Sequence, residues 1–237
     1  TTEIYTLSLH DALPIWMCSR RCCPPRPTAV EAAEPTFDRT TLEAARAQLR
    51  SFTQRIVQVD DGVMDRLMAA LVPATLAKGA VLLQDGEICE QVWFIGQGLV
   101  RAYFLKDGED VTQQFFFEGS YTTDYESFLT QQPTRLHLQA LEPTLLLALH
   151  REAMQRLYAA DPGAERMGRR IAEEIFLAVS RRNRSFLLDS AEQRYLDLMR
   201  ERPKVMQRVP QRHIASYLGV KPESLSRIRA RVARSSR

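Results

Sequence analysis

No apolar run in this chain approaches the roughly 20 residues needed to cross a bilayer, because Asp, Glu, Lys, Arg or Gln interrupts every hydrophobic stretch. A membrane-spanning helix is therefore not expected, and the cytoplasm is the expected location. Cysteine is scarce. Cys18, Cys22, Cys23 and Cys89 are too few and too clustered for the disulfide framework of a secreted protein, so reduced thiols in a cytosol are expected. Histidine is equally sparse, and His137, His150 and His213 each lack a second ligand at metal spacing, so no metal site is expected. Nucleophile elbows, phosphate loops and paired carboxylates are missing as well, and an enzyme is not expected.

What is present is a globular composition, 45% hydrophobic and 26% charged, over 237 residues, enough for one large domain or two modest ones. The net charge of +3 is unevenly placed. Residues 190–237 hold 12 Lys/Arg against 4 Asp/Glu, and residues 1–189 hold 20 against 25. A basic module on a mildly acidic body is the electrostatic footprint of a nucleic-acid binder, although a solvated basic tail has the same composition.

Residues 1–37 read as a disordered lead-in, rich in Pro, Arg and Ala from Met17 onward; residues 1–16 look like a translated sequencing-adaptor read, with Met17 the candidate start. Over 38–56, Leu42, Ala45, Leu49 and Phe52 recur at helical spacing behind a candidate N-cap, Asp38, and a second helix is expected over 61–71. Residues 79–150 change character. Short β-branched and aromatic runs (AVLLQ, VWFIGQGLVRAYFL, VTQQFFF, LHLQALEPTLLLAL) are separated by Asp85-Gly86, Gly96, Gly98 and Lys106-Asp107-Gly108, which predicts a compact antiparallel barrel or roll. The alternation Val100, Ala102, Phe104 and Leu136, Leu138, Ala140 predicts one face inward and the other toward solvent.

After Pro162 the helical period returns. Met167, Ile171, Ile175 and Ala178 form an apolar stripe on a helix reaching about Leu188, which fits either packing on its own domain or a seam with a twin chain. The most informative segment is 211–231, QRHIASYLGVKPESLSRIRAR. Ala215 is small where two helices would cross, Gly219 supplies the positive φ of a tight turn, and Ile214, Leu218, Val220, Leu225 and Ile228 form a buried set. Lys221-Pro222 opens the second helix, leaving Glu223, Ser224, Ser226, Arg227 and Arg229 to point away from that core toward base edges or phosphates. Lys221 and Arg212 join them as candidate DNA contacts.

These residues resemble the Crp/Fnr family of transcription regulators over roughly residues 60–231. The resemblance implies an α+β fold: an antiparallel β-roll sensor of the cyclic-nucleotide-binding kind over 38–160, a long dimerisation helix over 161–189, and a helix-turn-helix domain over 190–237. It assigns Glu223, Ser226 and Arg227 to base reading, by their match to the Glu-x-x-Ser-Arg arrangement, with Ser224 and Arg229 on phosphates. It makes Met167, Ile171, Ile175 and Ala178 the dimer stripe. The partners it implies are a two-fold symmetric DNA operator, a second copy of the chain, RNA polymerase and a small-molecule effector.

Three departures stand out. Only about six residues follow Arg231, so the family's β-hairpin wing is not expected. Thr123-Asp124 and Thr134-Arg135 stand where cyclic-nucleotide binders carry Gly-Glu and Arg-Ser or Arg-Thr, which argues against a tightly held cyclic phosphate. Tyr121, Thr123, Asp124, Glu126, Ser127, Thr134 and Arg135 then line a pocket for another effector, or form a polar loop. Finally, three N-terminal cysteines plus Cys89 match the count of the family's iron-sulfur regulators, but Cys18-x3-Cys22-Cys23 does not match their spacing, so no cluster is expected and Cys89 reads as a semi-buried packing residue. A ligand-binding module whose helical tail docks a protein, and a cluster-bearing redox sensor, are the alternative functions.

Overall fold

The computed structural model describes residues 37–235. The readings for the lead-in, including Cys18, Cys22 and Cys23, lie outside the described residues.

Two helices open the fold, α1 (Arg39–Ile56) and α2 (Asp61–Ala70). Asp38 caps α1 by accepting from the Thr41 amide at 2.8 Å, and Asp60 caps α2 by accepting from Val63 at 2.8 Å. Eight strands follow: β1 (Val72–Leu76), β2 (Val81–Leu83), β3 (Gln91–Gln97), β4 (Leu99–Lys106), β5 (Glu109–Phe117), β6 (Tyr121–Thr122), β7 (His137–Ala140) and β8 (Thr144–His150). A short helix, α3 (Tyr125–Thr130), lies between β6 and β7. The strands form two antiparallel sheets, in the orders β1-β8-β3-β6 and β2-β7-β4-β5, closing a β-roll. Between the sheets, Trp93, Ile95, Val100, Ala102, Phe128, Leu138 and Leu146 are buried in one cluster.

α1 lies across β3, where Gly96 is required: a Cβ there would stand 2.4 Å from the Ala45 Cβ. Phe52 of α1, Phe94 of β3 and Tyr121 of β6 meet edge to face, with centroids 5.3 to 6.0 Å apart.

Two more helices return over this surface, α4 (Arg151–Ala160) and the long α5 (Pro162–Leu188). Asp161 caps α5 ahead of Pro162, accepting from the Gly163 amide at 2.7 Å. Gly168 lets α5 pass over Tyr158 of α4, where a Cβ would collide with the phenol. Four helices complete the chain: α6 (Ala191–Glu201), α7 (Pro203–Arg208), α8 (Gln211–Tyr217) and α9 (Pro222–Ser235).

The structure corrects the sequence reading at several points. β1 precedes the expected start of the β region, α3 lies inside it, and α4 falls on residues for which the sequence pattern predicts no element. The expectation that alternate residues of β4 meet solvent fails, because Arg101 is buried against His213 of a C-terminal helix and Tyr103 is buried between Arg101 and His137, while Phe104 is 36% exposed. Cys89 is fully buried rather than semi-buried, with its sulfur 3.3 Å from both the Gln91 carbonyl and the Thr123 hydroxyl. In the expected dimer stripe, Met167 is buried in this chain's own core and Ile171 is partly buried against it. The exposed large apolar side chains of α5 are Phe176, Leu177, Val179, Phe186, Leu187 and Leu188. Residues 232–235 continue α9 as helix.

Candidate effector cleft and nucleic-acid interface

α5 does not lie flat on the roll along its whole length. Beyond Ile171 it departs from the core, and a cleft of about 900 Å³ opens between α5, β5 and the segment from β6 through α3 to Leu136. All seven residues expected for an effector pocket, Tyr121, Thr123, Asp124, Glu126, Ser127, Thr134 and Arg135, line this single cleft. Ile175 and Ala178, expected at a dimer seam, line it too.

The seven divide by what they already hold. Asp124 caps α3, accepting from the Ser127 amide at 3.3 Å, and it also accepts from the Thr134 hydroxyl. The Thr134 hydroxyl in turn accepts from the Leu136 amide at 2.8 Å. Ser127 is buried, donating to the Gln132 carbonyl at 2.6 Å and accepting from the Cys89 amide at 3.0 Å. Thr123 donates to the Gln91 carbonyl at 3.0 Å. These four side chains hold the loop together. Arg135 and Glu126 are exposed and have no ion pair among the described residues, so they are available to a ligand. Burial pushes the Tyr121 phenol far above its ordinary value, keeping it neutral in the cleft.

The far end of the cleft is cationic and aromatic, with Arg181, Arg182, Arg202, Phe115 and Phe117 in its wall. Sequence reasoning missed this end because β5 and the α5 terminus are distant in the chain and no local motif joins them. Among the described residues, no group of three or more His, Cys, Asp or Glu is placed to hold a metal ion.

The second candidate surface is α9. Leu225 and Ile228 are buried against α8 and α6, together with Tyr195, Leu198, Ile214, Ala215 and Leu218. Gly219 turns the chain between α8 and α9 at φ +70°, and the Val220 amide closes the turn on the Ala215 carbonyl at 3.0 Å. With residues about 100° apart around a helix, Glu223, Ser226 and Arg227 fall on the face opposite Leu225 and Ile228, flanked by Ser224 on one side and Arg229 on the other. Glu223, Ser226, Arg227, Arg229, Lys221 and Arg212 are exposed, and Ser224 is half-buried. Arg231 lies farther along and pairs with Glu192 at 2.6 Å.

The C-terminal helices dock on the roll through an apolar cluster, in which Leu99 and Phe115 of the roll are buried with Tyr195, Leu198, Val205 and Ile214, flanked by polar contacts. Ser216 of α8 accepts from the Thr112 amide at 2.8 Å and donates to the Asp110 carbonyl at 2.7 Å, which caps the open edge of β5. Arg101 reaches Asp110 at 2.6 Å and Gln139 at 3.3 Å and stacks on Tyr103 at 4.0 Å. Arg208 bridges Glu118 at 2.7 Å and Glu142 at 2.5 Å.

Residues 73–161 match the family model of the cyclic nucleotide-binding domain. Among solved structures, the chain is similar to the c-di-GMP responsive global regulator CLP of Xanthomonas campestris, with 16% identity, a TM-score of 0.60, and 75% of this chain and 93% of that one covered. It is similar to FixK2 of Bradyrhizobium japonicum at 20% identity and a TM-score of 0.57, covering 70% and 86%. The catabolite activator protein of Thermus thermophilus matches at 17% identity and a TM-score of 0.50, covering 78% and 88%. A comparison with curated proteins returns no match. At these identities the likeness is one of fold: an antiparallel β-roll of the cyclic nucleotide-binding type followed by helices. No helix among the described residues is long and apolar enough to cross a membrane.

Proposed function

We propose that this chain is a homodimeric, sequence-specific DNA-binding transcription regulator of the Crp/Fnr type, whose roll senses a small molecule through contacts other than those that hold a cyclic phosphate. The observation that carries the reading is the outer face of α9. Glu223 and Arg227 are exposed one helical turn apart on a helix whose inner face is buried, and neither has an ion pair among the described residues. Such a face has no internal ion pair to break on meeting a duplex and presents both an acceptor and a forked donor to base edges, whose pairing offsets the loss of hydration.

In this reading residues 38–160 are the sensor, 161–189 the dimerisation helix, and 190–237 a helix-turn-helix domain. Glu223, Ser226 and Arg227 read bases. Ser224 and Arg229, on the flanks, meet phosphates, with Lys221 and Arg212 beside them. The exposed Phe176, Val179 and Leu187 of α5 supply the seam with a second copy, in place of Met167 and Ile171. DNA as the partner places the protein in the cytoplasm. Similarity of fold to the regulators CLP, FixK2 and the catabolite activator protein supports the same class.

Selection of duplexes from a random pool by the full chain tests this. Enrichment of a two-fold symmetric sequence, with half-sites about one helical turn apart, is the expected outcome. A pool that stays random at low salt contradicts it and favours a helical tail that docks a protein.

A further inference from the structure

The cleft and the docked helices share their side chains. Gln114 and Arg202 line the cleft, and Arg202 donates to the Gln114 side chain at 2.6 Å, to the Phe115 carbonyl at 2.5 Å and to the Tyr217 hydroxyl at 3.3 Å. Arg182, also in the cleft wall, lies 3.8 Å from the Tyr217 ring centroid and donates to the Tyr217 carbonyl at 3.1 Å. Tyr217 is the last residue of α8, immediately before the turn that aims α9. The turn therefore rests on two guanidiniums that also face the cleft.

Among the described residues, Arg135 is the one guanidinium lining the opposite end of the cleft, and it shares that end with Glu126. The Asp124 carboxylate already takes the Ser127 amide and the Thr134 hydroxyl, so one internal anion occupies those donors. Most of the cleft's cationic capacity lies at the other end, where Arg181, Arg182 and Arg202 stand beside the rings of Phe115 and Phe117.

We infer that the cleft takes an amphipathic organic anion with an aromatic or apolar body, and that this anion and Tyr217 compete for Arg182 and Arg202, so that occupancy of the cleft releases α8 and α9 from the roll. The inference deepens the proposed function, on which it rests for its biological meaning, but its physical content is independent of DNA. A ligand shifts the docked equilibrium only through contacts that differ between the two states, and guanidiniums drawn from Tyr217 to the ligand provide that difference. The interface is suited to release. The Arg101 Nε, the Thr112 hydroxyl and the His137 Nε2 are buried at or beside the docked face without a hydrogen-bond partner among the described residues, and undocking exposes such groups to water.

Hydrogen exchange of the full chain, alone and saturated with anilinonaphthalene sulfonate, tests the inference. Binding of the probe is expected to speed amide exchange over residues 211–230 by about tenfold, the effect of losing one hydrogen bond to a charged group, while the strands of the roll stay unchanged. Arg182→Gln is expected to show the fast exchange without the probe and to bind the probe more weakly. Tyr217→Phe, which removes only the hydroxyl facing Arg202, supplies the same comparison if Arg182→Gln does not fold. Failure of the probe to bind, or binding with residues 211–230 unchanged, overturns the inference. Neither outcome depends on a duplex, so failure of the regulator reading shows separately, in the selection experiment.

Discussion

The Arg101 guanidinium of β4 donates to the Nδ1 of His213 on α8 across 2.5 Å, with both side chains buried. Only the neutral imidazole accepts that bond. Burial, followed by the positive charges of Arg101 and Arg212, pushes His213 down to about 4 from an ordinary 6.5, with Asp110 opposing. Because the folded value lies below the unfolded one, the stability this contact contributes is fully present above about pH 6.5 and is lost as pH falls toward 4. Urea unfolding at pH 7.5 and pH 5 is expected to show a loss at the lower pH that His213→Gln reduces. Equal pH dependence in the two proteins would show that the imidazole is uncoupled from docking.

Arg208 is three-quarters buried and holds Glu118 and Glu142, which lie in separate turns of the roll. Arg208→Ala is expected to cost about 2 kcal/mol in urea unfolding, because it removes the partner of partly buried Glu142 and leaves Glu118 with Lys204 alone, at 3.6 Å. A change under a few tenths would mean that the ion pairs are solvated in solution.

Gly96 and Ala45 touch where α1 crosses β3. Gly96→Ala is expected to destabilise by about 2 kcal/mol through overpacking, and Ala45→Gly in the same chain to recover part of that loss. Additive losses in the double variant would place the cost in the strand rather than in the contact.

The two faces of α5 separate folding from association. Met167→Ala, in the core, is expected to cost about 2 to 4 kcal/mol of stability at any protein concentration. Phe176→Glu, at a side chain 69% exposed, is expected to leave the roll folded and to shift sedimentation from dimer toward monomer. Unchanged sedimentation would move the seam away from Phe176.

The helical period and the caps made α1, α2, α5 and the α8-turn-α9 unit legible in the sequence, because each buries a regular face against a near neighbour. The misses were tertiary in origin. The covering of Arg101 depends on α8, more than 100 residues later in the chain, and no pattern within β4 announces it. The period of Met167, Ile171, Ile175 and Ala178 was correctly read, but a stripe does not name what it packs against. The pocket residues were legible as a group because they sit on one contiguous segment. The cationic end formed by Arg182 and Arg202 was not, since only folding brings those residues to one cleft.

The most direct test of the central claim is fluorescence anisotropy of a selected palindromic duplex, titrated with the full chain and with Arg227→Ala at several salt concentrations. The account predicts saturable binding that weakens with salt, and a loss of about 1 to 3 kcal/mol per half-site in the variant that disappears on a scrambled duplex. Binding of equal strength to both duplexes, unaltered by Arg227→Ala, would contradict it.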